Sequence, residues 1–379
     1  MAETIIYLDH AATTPLHPEV LEAMLPWLQE GYGNPGSLHR VGRRARQAVK
    51  IAREQVAALI GAEAHEICFT SGGTEANNLA LAGSVAARGG RILTSAIEHH
   101  AVLHAAHRWS QPDSLPVVFS VDGQGLVDPS QISEALSPEI AIVSIMYGNN
   151  ETGVIQPVDE IAASCHAAGV PYHCDAVQAA GHVPLDVASW PVDLLSLSAH
   201  KLGGPKGVGA LYIRRDTPLN AHIVGGGQEQ NRRAGTENVA GIAGFGKACQ
   251  LARENMELSS SRLLGLRARL EDGVRARVPE VWVNSGQANR LPHISNIGVA
   301  HVAGEGILYG LDAEGICIST GSACTSGVAD PSHVLRAMGQ ADDVALGAFR
   351  ISLGFNTTEA DIDRILNVLP RVIQELRTH

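Results

Sequence analysis

Short apolar runs recur along the first two-thirds of the chain, each followed by a longer stretch with helical spacing. Ile67-Cys68-Phe69-Thr70, Arg91-Ile92-Leu93-Thr94, the run 140–146 and Tyr172-His173-Cys174 read as strands, with helices over 75–87, 100–109 and 158–168. These runs are apolar on both faces, as strands of a parallel sheet between helix layers must be. The alternation predicts an α/β fold with an open, mostly parallel, helix-covered sheet. The pattern changes after Gly246. A stretch rich in Leu, Arg and Glu predicts a long helix over 248–277, a natural bridge between domains. The remainder mixes strands over 281–283, 294–299 and 349–353 with helices. A last helix starts at Thr358, where Asp361 takes the capping-box place of Glu or Gln, and runs toward Leu376. No internal repeat or low-complexity tract interrupts the chain.

At 379 residues, two domains or one large domain with a smaller partner are expected. With 45% hydrophobic and 18% charged residues the chain can bury a substantial core. A net charge of −11 leaves no positive excess to neutralise phosphates, which argues against a nucleic-acid or anionic-membrane binder. The N-terminal residues lack the basic and apolar regions of a signal peptide, and no apolar run reaches membrane-spanning length. The six cysteines form no C-x-x-C pair and suggest neither a disulfide framework nor a zinc site. The 17 histidines show no H-E-x-x-H, so no metal is expected. A reduced, cytoplasmic protein is the simplest expectation.

The strand-like run Val192-Asp193-Leu194-Leu195-Ser196-Leu197 is followed by Ser198-Ala199-His200-Lys201 and then Leu202-Gly203-Gly204-Pro205-Lys206-Gly207. A lysine at a strand end, with a hydroxyl and an imidazole beside it, suits a Schiff base with pyridoxal 5'-phosphate, although a surface turn has the same look. Upstream, Thr70-Ser71-Gly72-Gly73-Thr74-Glu75-Ala76-Asn77-Asn78 joins a strand to a helix. Its glycines let backbone approach a ligand, and the helix start favours a phosphate; an ordinary capped turn is the alternative. His99 lies between a strand and a helix, where its ring can stack on a flat cofactor or simply cap the helix. Asp175 ends a short strand at the carboxyl edge of the sheet, where it can keep a pyridine nitrogen protonated or cap a helix. Gln178 can reach the ring hydroxyl from three residues on. Phosphate turn, stacking His, acidic partner and Schiff-base Lys come in the order seen in fold-type I pyridoxal-phosphate enzymes.

These segments closely resemble the cysteine desulfurases, the NifS/IscS-like branch of the class V aminotransferase group, over nearly the whole chain. The likeness also rests on Tyr7-Leu8-Asp9-His10-Ala11-Ala12-Thr13-Thr14-Pro15, Asn149-Asn150-Glu151-Thr152-Gly153 and Arg233-Ala234-Gly235-Thr236-Glu237-Asn238. Gly321-Ser322-Ala323-Cys324-Thr325-Ser326 and Arg350-Ile351-Ser352-Leu353-Gly354 complete it. The resemblance implies a fold-type I enzyme with a large cofactor-binding domain, 16–250, and a smaller α+β domain, 1–15 plus 251–379. It implies that Lys201 carries the cofactor and shuttles protons, Asp175 pairs with the pyridine nitrogen, Gln178 contacts the phenolic oxygen and His99 stacks and serves as acid or base. Gly73, Thr74, Ser198 and His200 would hold the phosphate. Thr236 would reach the phosphate of a neighbouring subunit, which implies a homodimer. Arg350, helped by Asn150, would grip the substrate carboxylate.

Cys324 sets this family apart from ordinary transaminases. Its segment of Gly, Ser and Thr is a poor place to bury a thiol, whereas Cys68, Cys165, Cys174 and Cys249 read as buried and Cys317, between two isoleucines, as a core strand residue. The implied reaction takes L-cysteine to L-alanine and leaves a persulfide on Cys324. That sulfur passes to an acceptor such as an iron–sulfur scaffold protein. Gly327-Val328-Ala329 departs from the commoner family pattern and leaves the choice of acceptor open. A selenocysteine lyase, or a class V aminotransferase or lyase in which Cys324 is incidental, would share the cofactor residues. An idle sulfur carrier would need neither Lys201, Asp175 nor Arg350.

Overall fold

A computed structural model describes residues 5–110, 115–320 and 330–378. Seven strands form the main sheet: β1 (Ile67–Thr70), β2 (Arg91–Ser95), β3 (Val117–Phe119), β4 (Ile140–Ser144), β5 (Tyr172–Asp175), β6 (Leu194–Ser198) and β7 (Gly209–Ile213). Their order is β1-β7-β6-β5-β4-β2-β3. Neighbours from β6 to β3 are parallel, and β7 runs antiparallel to both β6 and β1. All residues of β4, β5 and β6 are buried, as the two-sided apolar pattern requires.

β7 is missing from the sequence reading. No strand is read after Gly203, Gly204 and Gly207, yet Gly209–Ile213 form a fully buried strand. The long helix also differs: it spans Val239–Arg277 rather than 248–277. The Asn238 side chain caps it by accepting from the Gly241 amide at 3.0 Å. Glycines that look like breaks are close approaches instead. A Cβ on Gly244 would lie 2.7 Å from the Met24 side chain, and one on Gly246 would lie 2.6 Å from the Ala52 backbone.

The first part of this helix, with Phe245 and Cys249, packs into the core of the main sheet. Its second part, with Leu263, Leu266, Leu270 and Val274, joins a separate core. There an antiparallel sheet of Val281–Val283, Ile294–Val299 and Ala348–Ser352 meets the final helix, Glu359–Arg377. Thr358 and Asp361 make the expected capping box. The strand Ile6–Tyr7 pairs in parallel with Ile316–Cys317, so the N-terminal segment belongs to this second core through Leu8. Cys68, Cys165, Cys174 and Cys249 are buried free thiols. Cys317 lies in a strand but is half-exposed rather than in the core, because this two-stranded ribbon leaves its side chain on the outer face near Asp312.

Candidate active site

The carboxyl ends of β5 and β6 lie side by side, with Asp175 opposite Ser196 in register. They open onto a cavity of about 300 Å³. Gly73, Thr74, His99, Asn150, Asp175, Gln178, Ser198, His200 and Lys201, separated along the chain, all line it. Asn77 lines it too, and sequence reasoning gave it no role.

The helix Gly73–Arg88 begins at the end of β1, and no side chain caps it. Its first amides therefore keep their donors and the positive end of the helix dipole for a ligand. A Cβ on Gly73 would come within 2.8 Å of Val177 Cγ2, so only glycine lets the turn sit this close. The Ser198 hydroxyl is buried there without a hydrogen-bond partner. A phosphate supplies what the uncapped amides and this hydroxyl lack.

Asp175 is 7% exposed. Its Oδ2 accepts from Asn77 Nδ2 at 2.7 Å and its Oδ1 from the Val177 amide at 3.0 Å. Donors fix the carboxylate in place and leave it a lone pair for a ring N–H. His99 caps the helix His100–Trp109, its Nδ1 accepting from the Ala101 amide at 3.1 Å. It therefore caps the helix and lines the cavity at once, with Nε2 carrying the proton. Burial holds the His99 imidazole below its ordinary range, against the pull of Asp175. His200 Nδ1 lies 3.1 Å from Thr13 Oγ1. Burial, then the charges of Lys201 and Lys206, bring His200 down to about 4.

Lys201 Nζ donates to the carbonyls of Ala11 at 2.6 Å and Ala12 at 2.7 Å, and Gln178 Nε2 donates to the Ala11 carbonyl at 2.9 Å. The N-terminal segment thus closes one wall with its main chain. Burial and then Arg350 bring the Lys201 ammonium down to about 8, with Asp9 and Asp175 opposing. Uncapped phosphate turn, unpartnered serine, fixed carboxylate and low-pKa lysine fit pyridoxal phosphate.

Arg350 does not line the cavity wall. It is 4% exposed, with Nη2 on Asp9 Oδ1 at 2.6 Å and Nη1 on the Asn150 carbonyl at 2.9 Å. The guanidinium thus backs onto Asn150, which lines the cavity, and its other side is taken by Asp9. Thr236 is exposed and lies outside this chain's cavity. Its segment is tied to the phosphate turn through the bidentate pair Arg233–Glu75, at 2.8 and 3.1 Å. Cys324 lies outside the described residues. Among those residues no group of His, Cys, Asp or Glu could hold a metal ion, and no helix is long and apolar enough to cross a membrane.

Residues 6–365 match the family described as Aminotransferase class-V. Over 376 residues the chain is 48% identical to the cysteine desulfurase IscS of Dictyoglomus turgidum, covering 98% of this chain and 95% of that protein. The cysteine desulfurase IscS of Clostridium botulinum is 47% identical over 377 residues, with the same coverage of 98% and 95%. A solved NifS-like protein superposes with a TM-score of 0.92 at 34% identity, covering 98% of this chain and all of that one. By sequence, fold and this convergence of side chains, the chain belongs to the pyridoxal-phosphate-dependent aminotransferase class-V family, in its IscS/NifS-like cysteine desulfurase branch.

Proposed function

We propose that this protein removes sulfur from L-cysteine, releases L-alanine and carries the sulfur as a persulfide on Cys324. The observation that carries this reading is how the segment bearing Cys324 is anchored. On its N-terminal side, Ser319 pairs with Arg350 through backbone hydrogen bonds of 3.1 and 2.6 Å. On its C-terminal side, the Ser332 hydroxyl donates to Glu151 at 2.5 Å, and His333 Nε2 lies 2.9 Å from the Glu98 carbonyl. Glu151 follows Asn150 and Glu98 precedes His99, so the chain enters and leaves the segment beside the cavity. A transaminase has no use for a cysteine between these two anchors.

Gly73, Thr74, Ser198 and His200 would hold the cofactor phosphate, Asp175 and Gln178 its ring, and Lys201 its aldehyde carbon. Bound there, pyridoxal phosphate supplies an electron sink that makes the substrate Cα proton removable and its C–S bond breakable. Near neutral pH a lysine brought down to about 8 exists partly as the free amine, so Lys201 can take that proton. Arg350, released from Asp9, orients the substrate carboxylate. His99 carries its proton on Nε2 and can hand it over inside the cavity. The Cys324 thiol accepts sulfur: an S–S bond forms as the C–S bond breaks, and Cβ gains a proton, so that cysteine plus thiol gives alanine plus persulfide.

The two cores support a division near residue 250 into a large domain, 16–250, and a small domain, 1–15 plus 251–379. The exposed Thr236 supports a homodimer in which it serves the neighbouring site. We further read the sulfur acceptor as a protein of iron–sulfur or other thio-cofactor assembly, and the setting as cytoplasmic. The test is to give the cofactor-loaded protein L-cysteine and a reductant, and to quantify alanine and sulfide beside Cys324→Ser. Equimolar products that vanish in the variant support the reading. Unchanged products remove Cys324 from the reaction, and no products from either protein point to selenocysteine or another amino acid.

A further inference from the structure

A second cavity, of about 480 Å³, shares only Lys201 with the first. It lies where the long helix meets the N-terminal segment and the end of the strand Ala348–Ser352. One side is apolar, with Leu251 and Leu263 from the helix and Leu353 and Phe355 beyond the strand. Of its four imidazoles His17 lies by Phe355, its Nδ1 accepting from the Glu19 amide at 3.3 Å, and the other three, His10, His182 and His293, face the cavity together. His182 and His293 stack with ring centres 3.7 Å apart, and His10 and His293 are 3% and 2% exposed. His293 Nδ1 and both His10 nitrogens lack hydrogen-bond partners. Apolar side chains would fill this wall without the cost of burying unpaired polar atoms, so packing alone does not account for three imidazoles.

Charge says what the cavity lacks. Two cations line it, Lys201 and Arg262, and neither forms an ion pair among the described residues. Lys201 donates to the Ala11 and Ala12 carbonyls, and Arg262 to those of Thr357, Gly354 and Phe355. The lining's one carboxylate, Glu19, is held by Lys247 at 2.9 Å. Burial first, then His182 and His10, and after them Arg267 and Arg350 from outside the lining, disfavour protonation of His293. The cavity therefore pairs an apolar wall with two basic side chains that no carboxylate of its lining meets.

We propose that this cavity binds a small carboxylate carrying an apolar body, and that the bound carboxylate favours the protonated form of the Lys201 nitrogen. Burial and then Arg350 disfavour the ammonium at that nitrogen while Asp9 and Asp175 favour it, and a bound carboxylate would add to their pull. The occupant would be an organic acid with a branched aliphatic or aromatic tail, and its effect would be to slow proton abstraction at the first cavity.

The inference uses the cofactor reading only for one of its two measurements. The first is the pH midpoint of the bound cofactor's absorbance, which follows protonation at the Lys201 nitrogen. Phenylacetate should move that midpoint upward by about half a unit, saturably, and phenylacetamide should not. The second is ligand-induced stabilisation against heat, which needs no cofactor. Ser259→Phe should abolish both responses by filling the cavity, and Asn255→Trp, which narrows it, serves if the first variant does not fold. A phenylacetate response that survives in the filled cavity would mean action at Arg350, and would overturn the proposal. So would an equal response to the amide, or none to either ligand in the wild-type protein.

Discussion

Replacing Glu98 by glutamine should stabilise the protein by an amount that grows with pH. Glu98 is fully buried. Its Oε1 accepts from the Ser95 hydroxyl at 2.6 Å and the Met146 amide at 3.0 Å, and its Oε2 has no partner. Burial pushes the carboxyl from 4.5 up to about 8; the two hydrogen bonds oppose this and the charge of Asp175 adds to it. The folded protein therefore holds a proton that the unfolded chain releases near 4.5. Stability is fully present below that value, falls as pH rises through the window, and levels off above about 8. The interval from 4.5 to about 8 is worth at most about 5 kcal/mol, or about 1.4 kcal/mol per pH unit. Glutamine has nearly the same shape and no proton to lose. Its unpaired amide nitrogen adds an offset, but that offset does not vary with pH.

Thermal unfolding of both proteins from about pH 5 to about pH 8 reads the difference. With an unfolding entropy of roughly 2 cal/mol/K per residue, 1 kcal/mol moves the midpoint of a chain this long by roughly 1 °C. The gap between Glu98→Gln and the parent should widen by roughly 2 °C per pH unit, to about 6 °C. A gap that stays constant across the range would show that Glu98 does not titrate there in the folded state, and the burial argument would fail.

Asn77→Ala removes one of the two donors that fix Asp175, and kcat for alanine release should drop about tenfold with little change in KM, since the substrate carboxylate lies elsewhere. A rise in KM with kcat preserved would place Asn77 in substrate binding instead. Glu229 takes Arg53 in a fork at 2.6 and 2.7 Å and the Phe69 amide at 2.9 Å, and it opens a run of three left-handed residues, Glu229, Gln230 and Asn231. Glu229→Gln should cost about 3 kcal/mol, read by denaturant unfolding, because it turns one acceptor into a donor facing a guanidinium.

What the sequence revealed of the site follows from where its chemistry sits. In a parallel sheet each strand delivers its last residue to the same edge, so Asp175 and the Ser198–Lys201 turn had to meet once their strands were recognised. The residues that escaped notice act across the chain rather than along it. Ala11 and Ala12 hold Lys201 through main-chain oxygens, and no side-chain pattern can announce a carbonyl. Asp9 meets Arg350 across 341 positions of sequence, and its place in a recognised motif did not say which cation it would pair with. Glycine has two uses in this fold. It marks a turn at Gly203 and a close helix contact at Gly244 and Gly246, and only the packing partner distinguishes these uses. The same distinction bears on the chemistry. The family resemblance gives Arg350 as a receptor for a carboxylate, and in the fold it is buried with Asp9 already on it. Under the role proposed for Arg350, substrate binding would be an exchange of carboxylates, in which Asp9 keeps the buried cation paired until the substrate arrives and sets the affinity that the substrate must exceed.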